Sequence, residues 1–343
     1  MTYRYPFSPF PDGWFFVCYT HELPAGKLFS KTFMGEEIVA FRGEGGRVCV
    51  ADAHCPHLGA HLAKGGCVVD GAVRCPFHGF RFDVDGLCVS SPYSAPLKAG
   101  RLKLWPTREV SGFIFAYHSA RGSAPSWEVP EQDNVGWSDL ATRHFRLRGH
   151  PQETTENGVD IGHLLVVHGY KDVEVITPTR VDGPYLTGAY SMRRDAGALH
   201  WLNLDLKSSF AVHVWGLGYS YVEVAVPAYE FFTRQWIFAT PADGEVIDLH
   251  IALRVKGPLH PERLFAPLRY VPKLAMTKVT QALAMKAFEI DIGQDFDIWE
   301  HKRYVSPPAL VREDGPIGLY RRYCRQFYPE PSGRGLNVLA AGE

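Results

Sequence analysis

The chain has 343 residues, 46% of them hydrophobic and 21% charged, which is typical of a globular protein large enough for two domains. Its 36 basic and 37 acidic residues nearly balance, so charge does not direct it to nucleic acid or to an anionic membrane. The N-terminus lacks the basic and apolar regions of a signal peptide, no apolar run approaches the roughly 18 residues that cross a bilayer, and seven cysteines make a poor disulfide framework. We therefore expect a cytoplasmic protein without an integral membrane segment.

Short strands separated by glycine turns fill the first part of the chain, from residue 14 to about residue 118. Ser, Gly and Pro residues without periodicity then occupy residues 119–138, which is typical of a linker. We therefore place an all-β domain at residues 1–120 and a second domain at residues 121–343.

The second domain combines strands with two helical segments. A helix is predicted over residues 154–168, with Thr154 or Thr155 as its N-cap. Alternating strands follow over residues 180–256, and a long helix is predicted from about 262 to 290. The expected architecture is α+β, with an antiparallel sheet folded around the long helix.

Cysteine and histidine occur in two matched pairs, Cys55-x-His57 and Cys75-x-x-His78. Proline and glycine beside each pair indicate two similar loops that each offer one sulfur and one nitrogen ligand. Such a set can hold a [2Fe–2S] cluster, with both cysteines on one iron and both histidines on the other, and neutral imidazoles raise the reduction potential. A Cys2His2 zinc site would use the same residue types, although the short spacing is atypical of zinc fingers.

These loops resemble those of the Rieske [2Fe–2S] proteins. Respiratory members of that family have an extra cysteine in each loop, where this chain has Ala60 and Phe77, and hydroxyl donors near the cluster, where it has Phe80 and Phe82. Because fewer hydrogen bonds would reach the cluster, we expect a potential near the low end of the Rieske range, about −150 mV. That value suits electrons that come from NAD(P)H.

The segment "ENGVDIGHLLVVHG" contains a second set of candidate residues, Asn157, Asp160, His163 and His168. On a continuous helix the two histidines point about 140° apart, so they can converge on one ion only if the helix ends between them. Gly169 would suit such an end. By itself a histidine pair of this kind is more often structural than metal-binding, so the residues alone leave both interpretations open.

Together with the two loops, the spacing Asn-x-x-Asp-x-x-His-x4-His resembles the Rieske non-haem iron oxygenases, whose iron(II) is bound by two histidines and one carboxylate. The resemblance implies that His163 and His168 bind iron. The segment "GQDFDIWEHKRY" resembles steroid-oxidising members in which the aspartate after the glutamine is the third ligand, here Asp295. The alternative carboxylates are Glu289, Asp291, Asp297 and Glu300, with Asp297 and Glu300 as the first substitutes.

The similarity to the oxygenase α subunits runs from Trp14 to about Tyr328, and the segments around the iron residues most resemble the cholesterol 7-desaturases, then the 3-ketosteroid 9α-hydroxylases. The animal desaturases have an N-terminal membrane anchor that we do not expect here. The resemblance implies a terminal oxygenase that uses O2, a [2Fe–2S] cluster, Fe2+ and electrons from NAD(P)H through a separate ferredoxin or flavin reductase. We expect 7,8-desaturation of a cholesterol-like sterol first, steroid hydroxylation second and oxidation of an aromatic acid third. The non-enzymatic alternatives are a Rieske electron carrier and a sterol-binding module.

The resemblance further implies a homotrimer, a head-to-tail ring in which His78 of one subunit meets Asp160 of the next. Asp160 would then bridge to His163 and complete a short electron path, with Asn157 beside it in the catalytic site.

Aromatic side chains are frequent between residues 200 and 240 and could border an apolar cavity, although most are expected in the core. They are Trp201, Phe210, Trp215, Tyr219, Tyr221, Phe231, Phe232, Trp236 and Phe238. An aromatic acid would also need a cation to hold its carboxylate. The candidates for that cation are Arg193, Arg194, Arg234 and Arg254, each expected more often at the surface.

Overall fold

The computed structural model of the chain describes residues 4–98, 100–193, 207–258, 262 and 266–329. Its N-terminal strands are β1 (Gly13–Tyr19), β2 (Phe29–Phe33), β3 (Glu36–Arg42), β4 (Val48–Asp52), β5 (Cys67–Val69), β6 (Ala72–Arg74), β7 (Arg81–Phe82), β8 (Cys88–Ser90), β9 (Leu104–Trp105), β10 (Thr107–Val110) and β11 (Phe113–His118). They form antiparallel sheets in the orders β1-β11-β10, β2-β3-β4-β9 and β5-β6-β7-β8. The predicted all-β N-terminal part is therefore confirmed.

The C-terminal part is built on one seven-stranded antiparallel sheet in the order β12-β18-β17-β16-β15-β14-β13. Its strands are β12 (Ala141–Arg148), β13 (Lys171–Asp182), β14 (Tyr185–Arg193), β15 (Lys207–Trp215), β16 (Tyr219–Val226), β17 (Phe231–Pro241) and β18 (Val246–Lys256). Its helices are α1 (Pro151–Glu156), α2 (Ile161–Val166), α3 (Lys273–Gly293), α4 (Phe296–His301) and α5 (Ile317–Cys324). The α+β class is thereby confirmed.

The long helix α3 packs on the sheet through Met285, Phe288 and Ile292, which share a core with Leu249 and Leu253 of β18. It begins at Lys273 and not near residue 262, because Pro272 occupies the N-cap and interrupts the helical pattern that the sequence suggests upstream. No described helix is long and apolar enough to cross a bilayer.

The helix predicted over residues 154–168 is two short helices, α1 and α2. The predicted capping by Thr154 or Thr155 is wrong because Pro151 already occupies the first turn of α1. The N-cap is His150, whose Nδ1 accepts the backbone N–H of Gln152 at 3.1 Å. The segment between the two helices can therefore turn the chain towards the site described below.

The N-terminal and C-terminal parts share a core. Phe16 of β1 stacks on Phe238 of β17 with ring centroids 5.0 Å apart, and Phe115 lies 5.5 Å from Tyr219. The turn after β2 hydrogen-bonds to the large sheet through the N–H of Met34, which donates to the carbonyl of Pro241 at 2.9 Å. No helix or strand interrupts residues 119–140, which are all described and which include the predicted linker. The domain limits at 120 and 121 stay a prediction.

Candidate metal centres

His163 and His168 converge because α2 ends between them. The helix stops at Val166, and Gly169 then takes the left-handed conformation with φ of 65°. The two Nε2 atoms lie 2.9 Å apart. The expected break in the helix is therefore present, and it allows both imidazoles to face one point.

Asp295 completes this group from the far end of α3. Its Oδ1 lies 3.3 Å from Nε2 of His163, and its Oδ2 lies 3.8 Å from Nε2 of His168. His163, His168 and Asp295 each offer one candidate ligand atom, and the three atoms lie within 4.8 Å of one another. Among the described residues, no other group of three His, Cys, Asp or Glu side chains meets this criterion. Asp295, and none of its four alternatives, thus faces the histidines.

The alternative carboxylates have other surroundings. Glu289 lies 3.5 Å from Nζ of Lys286, Asp297 is exposed, and Glu300 accepts the backbone N–H of Arg148 at 3.2 Å. Asp291 accepts the hydroxyl of Tyr170 at 3.1 Å.

The surroundings of the triad suit a metal ion. Burial raises the pKa of Asp295 to about 6 and, with His168 and Lys302 adding to it, lowers the pKa of His163 to about 4. The imidazole of His163 is therefore neutral near pH 7, as metal binding requires. Oδ1 of Asp295 is buried and makes no hydrogen bond in the described part of the chain. Two imidazoles and one carboxylate with this unsatisfied oxygen fit the ligand set of mononuclear iron(II).

Two neighbouring amides hold the triad. Nδ1–H of His168 donates to Oε1 of Gln294 at 2.9 Å, which directs Nε2 towards the centre. Asn157, the C-cap of α1, interacts with the Asp295 carboxyl and favours its ionised form. From the sequence, Gln294 served only to locate Asp295, and its hydrogen bond to His168 was not predicted.

The Cys55 and Cys75 loops have the same backbone geometry. In each loop the cysteine carbonyl accepts the N–H of a glycine four residues on, Gly59 at 2.9 Å or Gly79 at 3.0 Å. These glycines have φ of 75° and 74°, in the left-handed region that favours glycine. The two loops therefore present their cysteines and histidines in matching ways.

The loop residues fit a two-iron cluster better than a single ion. Cys55 and Cys75 are buried, the rings of His57 and His78 are 4.8 Å apart, and Nδ1 of His57 is buried without a described hydrogen-bond partner. A tetrahedral zinc site would bring all four ligand atoms close together, yet no three of them meet within 4.8 Å. The larger [2Fe–2S] cluster accommodates this separation.

Asp160 is the N-cap of α2, and its Oδ1 accepts the backbone N–H of His163 at 2.9 Å. Burial, with Asp314 and Glu156 nearby, raises the pKa of its carboxyl. Within the chain, the ring of His78 contacts residues of its own domain, including Phe77 and Tyr93.

A buried ionic network behind the triad was not predicted from the sequence. Nζ of Lys302 lies 2.8 Å from Oε2 of Glu153 and 3.6 Å from Oε1 of Glu156. Arg321 of α5 forms a bidentate pair with Glu156: Nε donates to Oε2 at 2.7 Å and Nη2 donates to Oε1 at 3.0 Å. The network thus ties α1, which precedes the histidines, to the segment after Asp295.

A cleft opens on the triad. It is bordered by Thr154, Thr155, Asn157, Gly158, His163, Leu164, His168, Tyr170, Phe210, Val212, Val214, Ser220, Tyr221, Val222, Gln235, Ile237, Phe288, Asp291, Ile292, Asp295 and Trp299. Of the nine aromatic candidates, only Phe210 and Tyr221 border it, while Trp201 lies outside the described residues. Trp215, Tyr219, Trp236 and Phe238 belong to or pack against the core between the two parts.

No lysine or arginine is among the described residues that border the cleft. Arg193 is exposed, and Arg254 donates to the carbonyl of Ser138 at 2.6 Å. Arg234 is not at the surface as expected, but is 8% exposed and paired with Glu223 at 2.7 Å. Arg194 lies outside the described residues.

Comparison with known families gives two matches along the chain. Residues 13–106 match the Rieske [2Fe-2S] domain, and residues 116–328 match the 3-ketosteroid 9alpha-hydroxylase C-terminal domain. Cholesterol 7-desaturase nvd of Bombyx mori is 31% identical over 94% of this chain and 71% of its own length. The probable 3-ketosteroid-9-alpha-monooxygenase oxygenase component of Rhodococcus rhodochrous is 29% identical over 94% of this chain and 81% of its own length.

Solved structures share the fold at lower identity. Apo dicamba monooxygenase is 17% identical with a TM-score of 0.68, and covers 93% of this chain and 98% of its own. NdmA of Pseudomonas putida CBB5 with caffeine is 15% identical with a TM-score of 0.70, and covers 91% of this chain and 89% of its own. The chain is an O2-dependent enzyme with a [2Fe–2S] cluster and Fe2+, and it belongs to the Rieske non-haem iron oxygenases, in the group related to cholesterol 7-desaturase and 3-ketosteroid 9α-monooxygenase.

Proposed function

We propose that the chain is the terminal oxygenase component that oxidises a C–H bond of a sterol or steroid, with a ferredoxin or flavin reductase as its electron donor. Desaturation of a cholesterol-like sterol at the 7,8 position is the first candidate, and steroid hydroxylation is the second. The relatives named above support this choice of reactions, at about 30% identity.

The observation that carries the proposal is the cleft beside His163, His168 and Asp295. Its sheet side is formed largely by Phe210, Val212, Val214, Val222 and Ile237. A steroid needs an apolar cavity, and these side chains supply an apolar wall beside the proposed iron ligands.

An aromatic acid fits the same cleft poorly. Its carboxylate would lose water on binding and would need a cation or strong donors in return. Because the described lining contains no lysine or arginine, aromatic acids remain the third choice.

We propose the following residues for the two cofactor sites. Cys55, His57, Cys75 and His78 would hold the [2Fe–2S] cluster. His163, His168 and Asp295 would hold Fe2+, which supplies O2 activation with electrons from the cluster. Gln294 orients the imidazole of His168, and the apolar wall opposite keeps bulk water from the substrate.

We further propose the homotrimer, in which the Rieske loops of one subunit dock beside Asp160 of the next. Exposed apolar side chains support contacts at both surfaces. Near the loops, Leu58, Phe77 and Tyr93 are more than half exposed, and on α2 Val166 is 84% exposed. Patches of exposed apolar side chains are typical of protein interfaces.

The reaction is tested with purified protein, a surrogate reductase, NADH and O2. Cholesterol, 3-ketosteroids and aromatic acids are supplied separately, and the products are analysed by mass spectrometry. Loss of two hydrogens from cholesterol would indicate desaturation, and gain of one oxygen atom would indicate hydroxylation. Turnover confined to aromatic acids would refute the steroid proposal. About three irons per chain are expected for the enzyme, against about two for a Rieske carrier.

The trimer is tested by mixing two inactive variants. Cys75→Ser removes the cluster but leaves Asp160, whereas Asp160→Ala leaves the cluster but interrupts the path into its own iron site. In a head-to-tail ring, clusters of the second variant can serve iron sites of the first, so co-expressed subunits should regain activity. A mixture as inactive as either variant, or a monomer in analytical ultracentrifugation, would contradict the ring.

A further inference from the structure

One amide stands out on the sheet wall of the cleft. Val212, Val222 and Gln235 lie side by side across β15, β16 and β17, since Val212 pairs with Val222 and Val222 with Gln235. Ser220 and Ile237 form the neighbouring pair. Side chains alternate between the two faces of a strand, so these residues share the face that borders the cleft.

The other polar groups of this wall are already engaged. The hydroxyl of Ser220 donates to the carbonyl of Ile237 at 2.8 Å. Tyr221 also borders the cleft, but its ring stacks on His213 at 4.7 Å and belongs to the core between the two parts of the chain.

Gln235 retains hydrogen-bonding capacity towards the cleft. Its Nε2 donates to Oγ1 of Thr233 at 3.0 Å, while within the described residues its Oε1 accepts no hydrogen bond and Nε2 makes no other one. A carboxamide has two N–H donors and two acceptor sites, so one donor and the acceptor sites remain for a ligand.

Two hydroxyl groups at the opposite side of the cleft already donate hydrogen bonds within the protein. Tyr170 donates to Asp291 at 3.1 Å, and Thr154 donates to the carbonyl of Pro151 at 3.0 Å. A ligand that is apolar except for one oxygen therefore has one available partner along the sheet wall, Gln235.

We propose that Gln235 binds the single oxygen at the polar end of the steroid and so sets which carbon lies at the iron. The inference rests on the proposed steroid substrate. A hydroxyl can both donate to and accept from the carboxamide, and a ketone can accept from its free N–H, so both oxygen types are bound. A steroid without this oxygen would cover the amide and leave its remaining donor and acceptor sites without a partner, which costs binding free energy.

The test measures binding to the iron-free protein by quenching of tryptophan fluorescence, and needs no turnover. The ligands are cholesterol, cholest-4-en-3-one and cholest-5-ene, which lacks the oxygen. Gln235→Met, of similar length and without hydrogen bonds, should weaken the first two about tenfold and should change cholest-5-ene binding less than about twofold. Gln326→Met, at an exposed glutamine outside the cleft, is the matched control and should leave all three affinities unchanged. Thermal unfolding verifies that both variants are folded.

Equal weakening of cholest-5-ene by Gln235→Met, or unchanged cholesterol binding, would overturn the role of Gln235 while the steroid proposal stands. Absence of saturable binding of all three ligands by the unsubstituted protein would overturn both.

Discussion

Gln294 accepts a hydrogen bond from Nδ1 of His168 at 2.9 Å, and it directly precedes Asp295 in the chain. One turn at the end of α3 thus supplies both a proposed iron ligand and the group that orients another. This coupling makes the position of His168 depend on a residue that does not itself bind iron.

Replacing Gln294 with leucine should weaken iron binding. The imidazole of His168 would lose its partner, and loss of such a hydrogen bond typically lowers metal affinity by about 10- to 100-fold. Competition with a chelator measures this affinity without turnover. Gln326→Leu, which removes an exposed glutamine that also hydrogen-bonds to carbonyl groups, is the control and should leave affinity unchanged. Equal affinity in the Gln294 variant would show that His168 is held by other contacts.

Replacing Lys302 with methionine should destabilise the protein. Glu153 is 0% exposed and would lose its cation, and breaking a buried pair in this way costs about 3 kcal/mol. Burial already raises the pKa of Glu153, so the variant should lose more stability as the pH rises, when this carboxyl must ionise. Denaturant unfolding at two pH values measures both effects.

The double variant Lys302→Met with Glu153→Gln separates charge from packing. It should recover part of the lost stability because no buried carboxylate remains unpaired. If the double variant is as unstable as the sum of the single variants, the pair does not act as an ion pair.

The sequence could predict that His163, His168 and Asp295 lie together because the chemistry of a metal site restricts residue types and spacing. His163 and His168 need a helix end between them, and Gly169 marked that end. Lys302 and Glu153 had no such mark, since each is an ordinary charged residue in its local segment and their contact arises only when distant segments pack. The N-cap His150 was missed because histidine is not a usual N-cap; Pro151, which suits the first turn of a helix, is the signal that could have located it.

The aromatic strands show a second limit of sequence analysis. Alternation predicts which side chains share a face of a strand, but it does not tell which face meets another domain. Trp236 and Phe238 face the N-terminal part, whereas the alternate residues of the same strand, Gln235 and Ile237, face the cleft. The contacts of the N-terminal part therefore decided where the substrate wall lies.

Partly buried His250 should make stability fall in acid. Burial, with Lys31 and His144 nearby, lowers its pKa to about 2, and Asp248 faces both of these neighbours. Below about pH 6.5 the unfolded chain binds a proton that the folded chain refuses, so the free energy of unfolding falls as pH falls. His250→Phe should reduce that slope by about 1.4 kcal/mol per pH unit, measured by denaturant unfolding between pH 6 and 4. An unchanged slope would show that His250 takes up its proton while folded.

The reduction potential of the cluster should be about −150 mV, at the low end of the Rieske range. Phe80, 1% exposed and 4.9 Å from the ring of His57, places an apolar side chain beside the proposed ligands. His78→Cys should lower the potential towards about −400 mV, because a thiolate adds negative charge. Redox titration followed by electron paramagnetic resonance measures both values, after iron and sulfide analysis has established that the cluster is present. A potential above about zero in the unsubstituted protein would contradict the expected weak hydrogen bonding.

Asp160→Asn should stop product formation while leaving both metal sites filled. The side-chain oxygen of asparagine can replace the carboxylate as N-cap of α2, so the backbone N–H of His163 keeps its partner and His163 stays in place. What the variant loses is the negative charge that would connect His163 to the neighbouring subunit's cluster. Iron content and the Rieske spectrum should therefore be unchanged, and the reduced cluster should fail to reoxidise with substrate and O2. Asp160→Ala, which also removes the cap, should additionally lower stability by about 1 kcal/mol. If Asp160→Asn turns over at the full rate, the electron path does not pass through this carboxylate.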